Sequence, residues 1–101
     1  MKKPRNYRDD LLERLKNPEY AREILNAALE DADHRVFLLA LRDVADACGM
    51  SRLATSTHIS REHFYRMLSK SGNPQWDTLR NVLDKIGFRL VIDLKSTLRA
   101  A

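Results

Sequence analysis

Two short stretches of helical pattern, Ser51–Thr57 and Arg61–Leu68, are separated by only three residues. Neither is long enough to stand alone in water, and the joint is too tight for independent helices. The pair must therefore pack as one unit on a core supplied by the rest of the chain. The residues around the joint fit a helix-turn-helix spanning about Met50 to Ser69. Ala54 is small enough for two helices to cross over it. Leu53, Ile59, Phe64 and Met67 are spaced to anchor both helices inward, and Thr57 fills one normally apolar position through its methyl group. His58 occupies the turn position, where the backbone needs a positive φ. Glycine takes that conformation most easily; histidine is among the side chains that tolerate it, at some conformational cost. Ser60 is placed to cap the second helix.

The remaining segments read as the scaffold for this unit. Arg8–Lys16 carries Leu11, Leu12 and Leu15 on one side, and Asn17-Pro18 both ends that helix and begins the next. From Pro18 to about Glu30, Tyr20, Ile24, Leu25 and Ala28 form an apolar stripe, before Asp31-Ala-Asp33 breaks it and offers a new N-cap. His34–Cys48 is the expected core helix, with Phe37, Leu41, Val44, Ala45 and Cys48 on one face and Gly49 closing it. Beyond the polar loop 69–74, Trp76–Lys85 turns Leu79, Val82, Leu83 and Ile86 inward and ends at Gly87.

The segment Phe88–Leu94 is rich in β-branched and aromatic residues, which predicts a strand with Phe88, Leu90, Ile92 and Leu94 on one face. A lone strand leaves its backbone donors and acceptors unpaired. It is expected to pair with its copy in a two-fold dimer, or to extend another protein's sheet, unless it lies on the surface as irregular chain. The expected fold is all-α with one late strand. It comprises an N-terminal helical extension over 1–32, a helix-turn-helix core over 33–87, a dimerising β-strand over 88–94 and a tail over 95–101. All of it belongs to one domain, because 101 residues leave too little core to divide.

The net charge of +4 is unevenly spread. Residues 1–32 carry seven Lys/Arg and seven Asp/Glu, whereas Ser51–Gln75 carries Arg52, Arg61, Arg66 and Lys70 against Glu62 alone. With Ile59, Phe64 and Met67 turned inward, the second helix of the pair presents Arg61, Glu62, His63, Tyr65 and Arg66 outward. These residue types suit double-stranded DNA: arginine reads guanine bidentately, Glu62 can accept from cytosine N4, and His63 and Tyr65 can reach phosphate or a thymine methyl. Ser51, Arg52 and Lys70 are candidate phosphate clamps, and the amides after Ser60 suit a phosphate as well. Taken singly, Arg52 and Lys70 read equally as solvated charges and Tyr65 as a half-buried core edge; together the residues favour DNA.

Other chemistries find little support. Asp9 and Asp10 are neighbours on a helix and point roughly 100° apart, with no matching nucleophile or histidine. No glycine loop could cradle a phosphate, and Cys48, His34, His58 and His63 form no compact metal-ligand set. No enzyme, metal or cofactor is expected. The single cysteine excludes an intramolecular disulfide, the basic start is not followed by an apolar signal core, and no segment approaches a membrane span, so the cytoplasm is the expected compartment.

The stretches Leu25–Glu30, Ala40–Ala45, Gly49–Ala54, Ile59–Ser69, Gly72-Asn-Pro74, Asp77-Thr-Leu79 and Gly87–Leu90 together resemble the addiction-module antidote proteins of the Cro and lambda-repressor-like (XRE) helix-turn-helix group. The resemblance implies a lambda-repressor-like fold. It also implies a type II antitoxin that neutralises a small RelE/ParE-like ribonuclease or gyrase-poison toxin and represses its own operon through a palindromic operator, as a homodimer. The DNA contacts it carries over fall on Ser60, Arg61, Tyr65 and Arg66. It names no toxin-contacting residue; the N-terminal helices are favoured for that role because the helix-turn-helix does not need them. His58 departs from the glycine of the family pattern. The alternative is a stand-alone helix-turn-helix regulator of the phage-repressor kind with no toxin, or an interaction module whose helix-turn-helix no longer meets DNA.

Overall fold

Side-chain caps set where the first three helices begin. The computed structural model describes residues 6–95. Asn6 accepts from the Asp9 amide at 2.8 Å and opens α1, Tyr7–Leu15. Asn17 accepts from the amides of Glu19 and Tyr20 at 2.9 and 3.1 Å and opens α2, Pro18–Leu29, with the proline in the first turn where no amide is needed. Asp33 accepts from the Arg35 amide at 3.0 Å and opens α3, His34–Cys48. Then follow α4, Met50–Thr57; α5, Arg61–Met67; and α6, Trp76–Ile86. Gly87, in the left-handed region at φ 102°, closes α6.

The long α3 is the centre of the packing. Phe37, Leu38, Leu41, Val44 and Ala45 are its buried face, and α1, α2 and α4 all lie against it. Leu15 from α1 and Ala21, Leu25 and Ala28 from α2 enter the same buried cluster as Met50 and Leu53 from α4, Phe64 and Met67 from α5, and Val82 and Leu83 from α6. The two N-terminal helices thus share a core with α4, α5 and α6. Leu41, Val44, Phe64, Leu68 and Val82 are fully enclosed, each contributing about 1.5–3 kcal/mol of burial. Cys48, expected on the inward face of α3, is instead exposed, in an open hollow shared with Lys16, Arg52 and Ile86.

The segment Phe88–Leu94 corrects the sequence-based expectation: it is not a strand. All six elements among the described residues are helices, so the all-α class holds and the C-terminal β-strand does not. The Phe88 amide donates to the Leu83 carbonyl at 2.8 Å, prolonging the cap of α6, and its ring packs half-buried on the core. Beyond it the chain is irregular and its apolar side chains are exposed, Val91 at 72%, Leu94 at 66% and Ile92 at 99%. The reason is partnership. β propensity describes side chains that suit a pleated surface, but a strand also needs a second backbone to take its N–H and C=O groups, and the described chain has committed every other candidate to helices.

Candidate nucleic-acid interface

The joint between α4 and α5 has the geometry the residue types require. His58 sits at φ 60°, ψ 33°, in the left-handed region, and among the described residues it is the one non-glycine there. Its neighbour Ile59 donates to the Ala54 carbonyl at 3.1 Å, which folds the chain back over the small side chain. Thr57 is buried, its hydroxyl donating to the Leu53 carbonyl at 2.6 Å so that only the methyl meets the core. Ser60 then accepts from the His63 amide at 3.1 Å and starts α5. Phe64, Met67 and the cap residue Leu68 hold α5 on the core.

This mounting leaves Arg61, Glu62, His63 and Arg66 exposed on α5, with Ser60 before them and Lys70 after, while Ser51 and Arg52 are exposed at the start of α4. These residues do not share one cleft. His63 and Arg66 flank an open cleft of about 600 Å3 with Ser71, Asn73, Gln75 and Thr78, whereas Ser51 and Arg52 border a separate hollow with Lys16 and Lys85. Asn73, Gln75 and Thr78 escaped the sequence reading, since a polar loop carries no sign of which helix it lies beside. Gly72 makes this loop possible: a Cβ there would fall 1.9 Å from the Met67 carbonyl oxygen. Among the described residues, Arg52, Arg61, Arg66 and Lys70 take part in no ion pair, so their charge is available to an anion outside the chain.

Tyr65 is placed apart from the other expected contacts. It is half-buried, its hydroxyl donates to Asp46 Oδ1 of α3 at 2.9 Å, and the Arg42 guanidinium lies 4.9 Å from its ring centroid. The other Asp46 oxygen accepts from Arg8 of α1, which also donates to Asp43 at 3.0 Å. These carboxylates raise the Arg8 guanidinium above its usual pKa, the Asp43 hydrogen bond most. Nothing in the local pattern announces contacts that join residues 19 to 38 positions apart.

Comparison with known proteins adds the biological setting. Residues 6–94 match the family model described as "Probable addiction module antidote protein". The chain belongs to that family. It is also 34% identical over 83 residues to an uncharacterized protein of Haemophilus influenzae, covering 82% of this chain and 86% of that protein. No solved structure matches it. Membership in the antidote family points to an antitoxin role, with a toxin as the partner in general. No helix among the described residues is long and apolar enough to cross a membrane.

Proposed function

We propose that this antidote-family chain neutralises a small RelE/ParE-like toxin and, as a homodimer of the lambda-repressor-like (XRE) helix-turn-helix group, represses its own operon by binding a palindromic operator. The observation that carries the DNA part is the mounting of α5, whose Arg61 and Arg66 are exposed and outside every ion pair among the described residues while Phe64, Met67 and Leu68 hold the helix from behind. In this reading Arg61, Glu62, His63 and Arg66 meet base edges, and Ser51, Arg52, Ser60 and Lys70 meet phosphates. Two such helices in a dimer enter successive major grooves about 34 Å apart. The exposed Leu90, Ile92 and Leu94, with Phe88 at their base, are the apolar surface offered to the second copy.

The deciding measurement is binding to a duplex taken from the region immediately upstream of the chain's own coding sequence. Replacing both Arg61 and Arg66 by Ala is expected to lower affinity by about 100-fold or more, at roughly 1–3 kcal/mol per contact, with thermal unfolding unchanged. Unchanged affinity in a folded double variant overturns the DNA reading. For the toxin, co-expression with the protein encoded next to it should relieve growth arrest and yield a stable complex. Arrest that persists, or the absence of a neighbouring toxin gene, would leave a stand-alone regulator instead.

A further inference from the structure

Three helices meet through one carboxylate. Asp46 of α3, with 15% of its side chain exposed, accepts from the Tyr65 hydroxyl of α5 on one oxygen and from Arg8 of α1 on the other. A carboxylate this enclosed needs both partners to offset its lost hydration. The helix it reaches has seven residues, too few to hold its own geometry. Phe64, Met67 and the cap residue Leu68 hold α5 on the core, but all three are apolar contacts on its inward side and impose no directional bond. Tyr65, one position and roughly 100° round from Phe64, adds a directional hydrogen bond at the edge of that face and so refines the rotation the apolar anchors set. Its hydroxyl is tied to Asp46 and its ring faces Arg42.

We infer that Asp46 is a positioning residue for the DNA-reading helix, acting through Tyr65, and that Arg8 holds Asp46 in place so that α1 is coupled to base reading. The inference rests on the DNA role proposed above. A small roll of α5 carries Arg61 and Arg66 along the groove without removing either charge. Loss of the Tyr65–Asp46 bond therefore weakens discrimination between sequences more than it weakens phosphate attraction, because base-edge hydrogen bonds demand alignment and long-range charge does not. A change at α1 reaches the same helix through Arg8, which gives the N-terminal helices a physical route to the interface.

The test uses the full chain, with the upstream duplex and a random-sequence duplex of equal length, and reads the ratio of the two affinities at several salt concentrations. Y65F and D46N should each lower the ratio about 10-fold, the scale of one hydrogen bond to a charged group, with the salt slope close to the parent's and the chain still folded at the assay temperature despite a lowered unfolding temperature. R8Q should lower it about 3-fold, and R8Q combined with Y65F should do no more than Y65F alone. Y65F and D46N variants that keep the parent ratio overturn the positioning role. So does a loss of ratio accompanied by a shallower salt slope, which would make Tyr65 a phosphate contact. Additive effects of R8Q and Y65F overturn the link to α1. The Arg61 and Arg66 double variant serves as the control: if the parent chain itself fails to discriminate, the DNA reading falls and this inference with it.

Discussion

Between Asn6 and Asp46 the chain caps its helices and forms its ion pairs internally. All three helices there begin at a side-chain cap, and every ion pair between described residues, Arg8 with Asp43 and Asp46, Lys16 with Glu13, and Arg35 with Asp33, lies within this stretch. From Met50 onward the habit changes. Helices α4 and α6 start without a side-chain cap, the turn holds a histidine in the left-handed region, and Arg52, Arg61, Arg66 and Lys70 pair with nothing among the described residues. Trp76 and Ile92 are exposed there at 60% and 99%. Exposed ion pairs are worth little stability each, so the difference teaches less about strength than about availability. The ion pairs among the described residues all lie in the first half, where Arg14 and Arg22 still stand outside them; in the second half every described Lys and Arg does.

The largest expected effect tests whether the two halves are nonetheless one folding unit. Phe64 is fully buried and joins the cluster that contains Leu41 and Val44 of α3. Phe64→Ala should cost about 3–5 kcal/mol through lost burial and the cavity left behind. Because the cluster is shared, amide protection in α2 and α3 should fall together with that of α5. Native-state hydrogen exchange showing full protection in α2 and α3 beside an open α5 would break the shared-core account. Next in size is Gly72→Ala, whose new Cβ has no room beside the Met67 carbonyl. A loss of about 1–3 kcal/mol is expected, with displacement confined to the end of α5 and the loop after it. Chemical-shift changes confined to residues 64–78 would support this, and changes in α1 and α2 would contradict it.

How much of this was legible in the sequence depended on whether the signal was local. Helix ends were, because Asn17-Pro18, Asp33 and Gly87 act on their immediate neighbours; α3 runs over His34–Cys48, as its apolar spacing indicated. The positive φ of His58 was legible too, since the distance from Ala54 demands a turn whatever residue stands there. The Phe88–Leu94 strand failed because side-chain preference was read without asking which backbone would pair with it. Tyr65 was legible only in part: its reading as a half-buried core edge fits, but its partner was hidden. Helical spacing turned it outward relative to Phe64, but Asp46, 19 residues earlier in the chain, binds its hydroxyl. Tertiary hydrogen bonds of that kind leave no periodic trace. The exposure of Arg61, Glu62, His63 and Arg66 followed from the same spacing and needed no distant partner.

Two smaller substitutions should move stability in opposite directions in the two halves. Asn17→Ala removes a cap that serves two amides at the start of α2 and should lower stability by about 1 kcal/mol. His58→Gly relieves a left-handed residue and should raise it by roughly 0.5–1 kcal/mol, the relief exceeding the added freedom of the unfolded chain. Denaturant unfolding measures both. A destabilised His58→Gly would mean that the histidine side chain supports the turn in its own right, and that the second half is less strained than its backbone suggests.

The smallest effect depends on pH and belongs to the first half. Asp33 accepts from the Arg35 amide and forms a two-pronged pair with its guanidinium, Nη2 to Oδ2 at 2.7 Å and Nε to Oδ1 at 2.9 Å. The Arg35 side-chain hydrogen bonds, then its backbone hydrogen bond, lower the carboxyl from the usual 3.8 to about 2. A folded-state pKa below the unfolded one means that the unfolded chain takes up the proton first. The contribution is therefore fully present above pH 3.8 and is lost as the pH falls through about 2. Asp33→Asn keeps an amide-capping oxygen but cannot titrate, so the stability difference between parent and variant should shrink across that interval and should be smaller in high salt. The pair is open to solvent, with about half of each side chain exposed, so the effect is at the edge of detection. A difference that stays constant from pH 5 to pH 2 would mean that Asp33 acts by capping alone, with Arg35 as ready for an outside anion as Arg61 and Arg66.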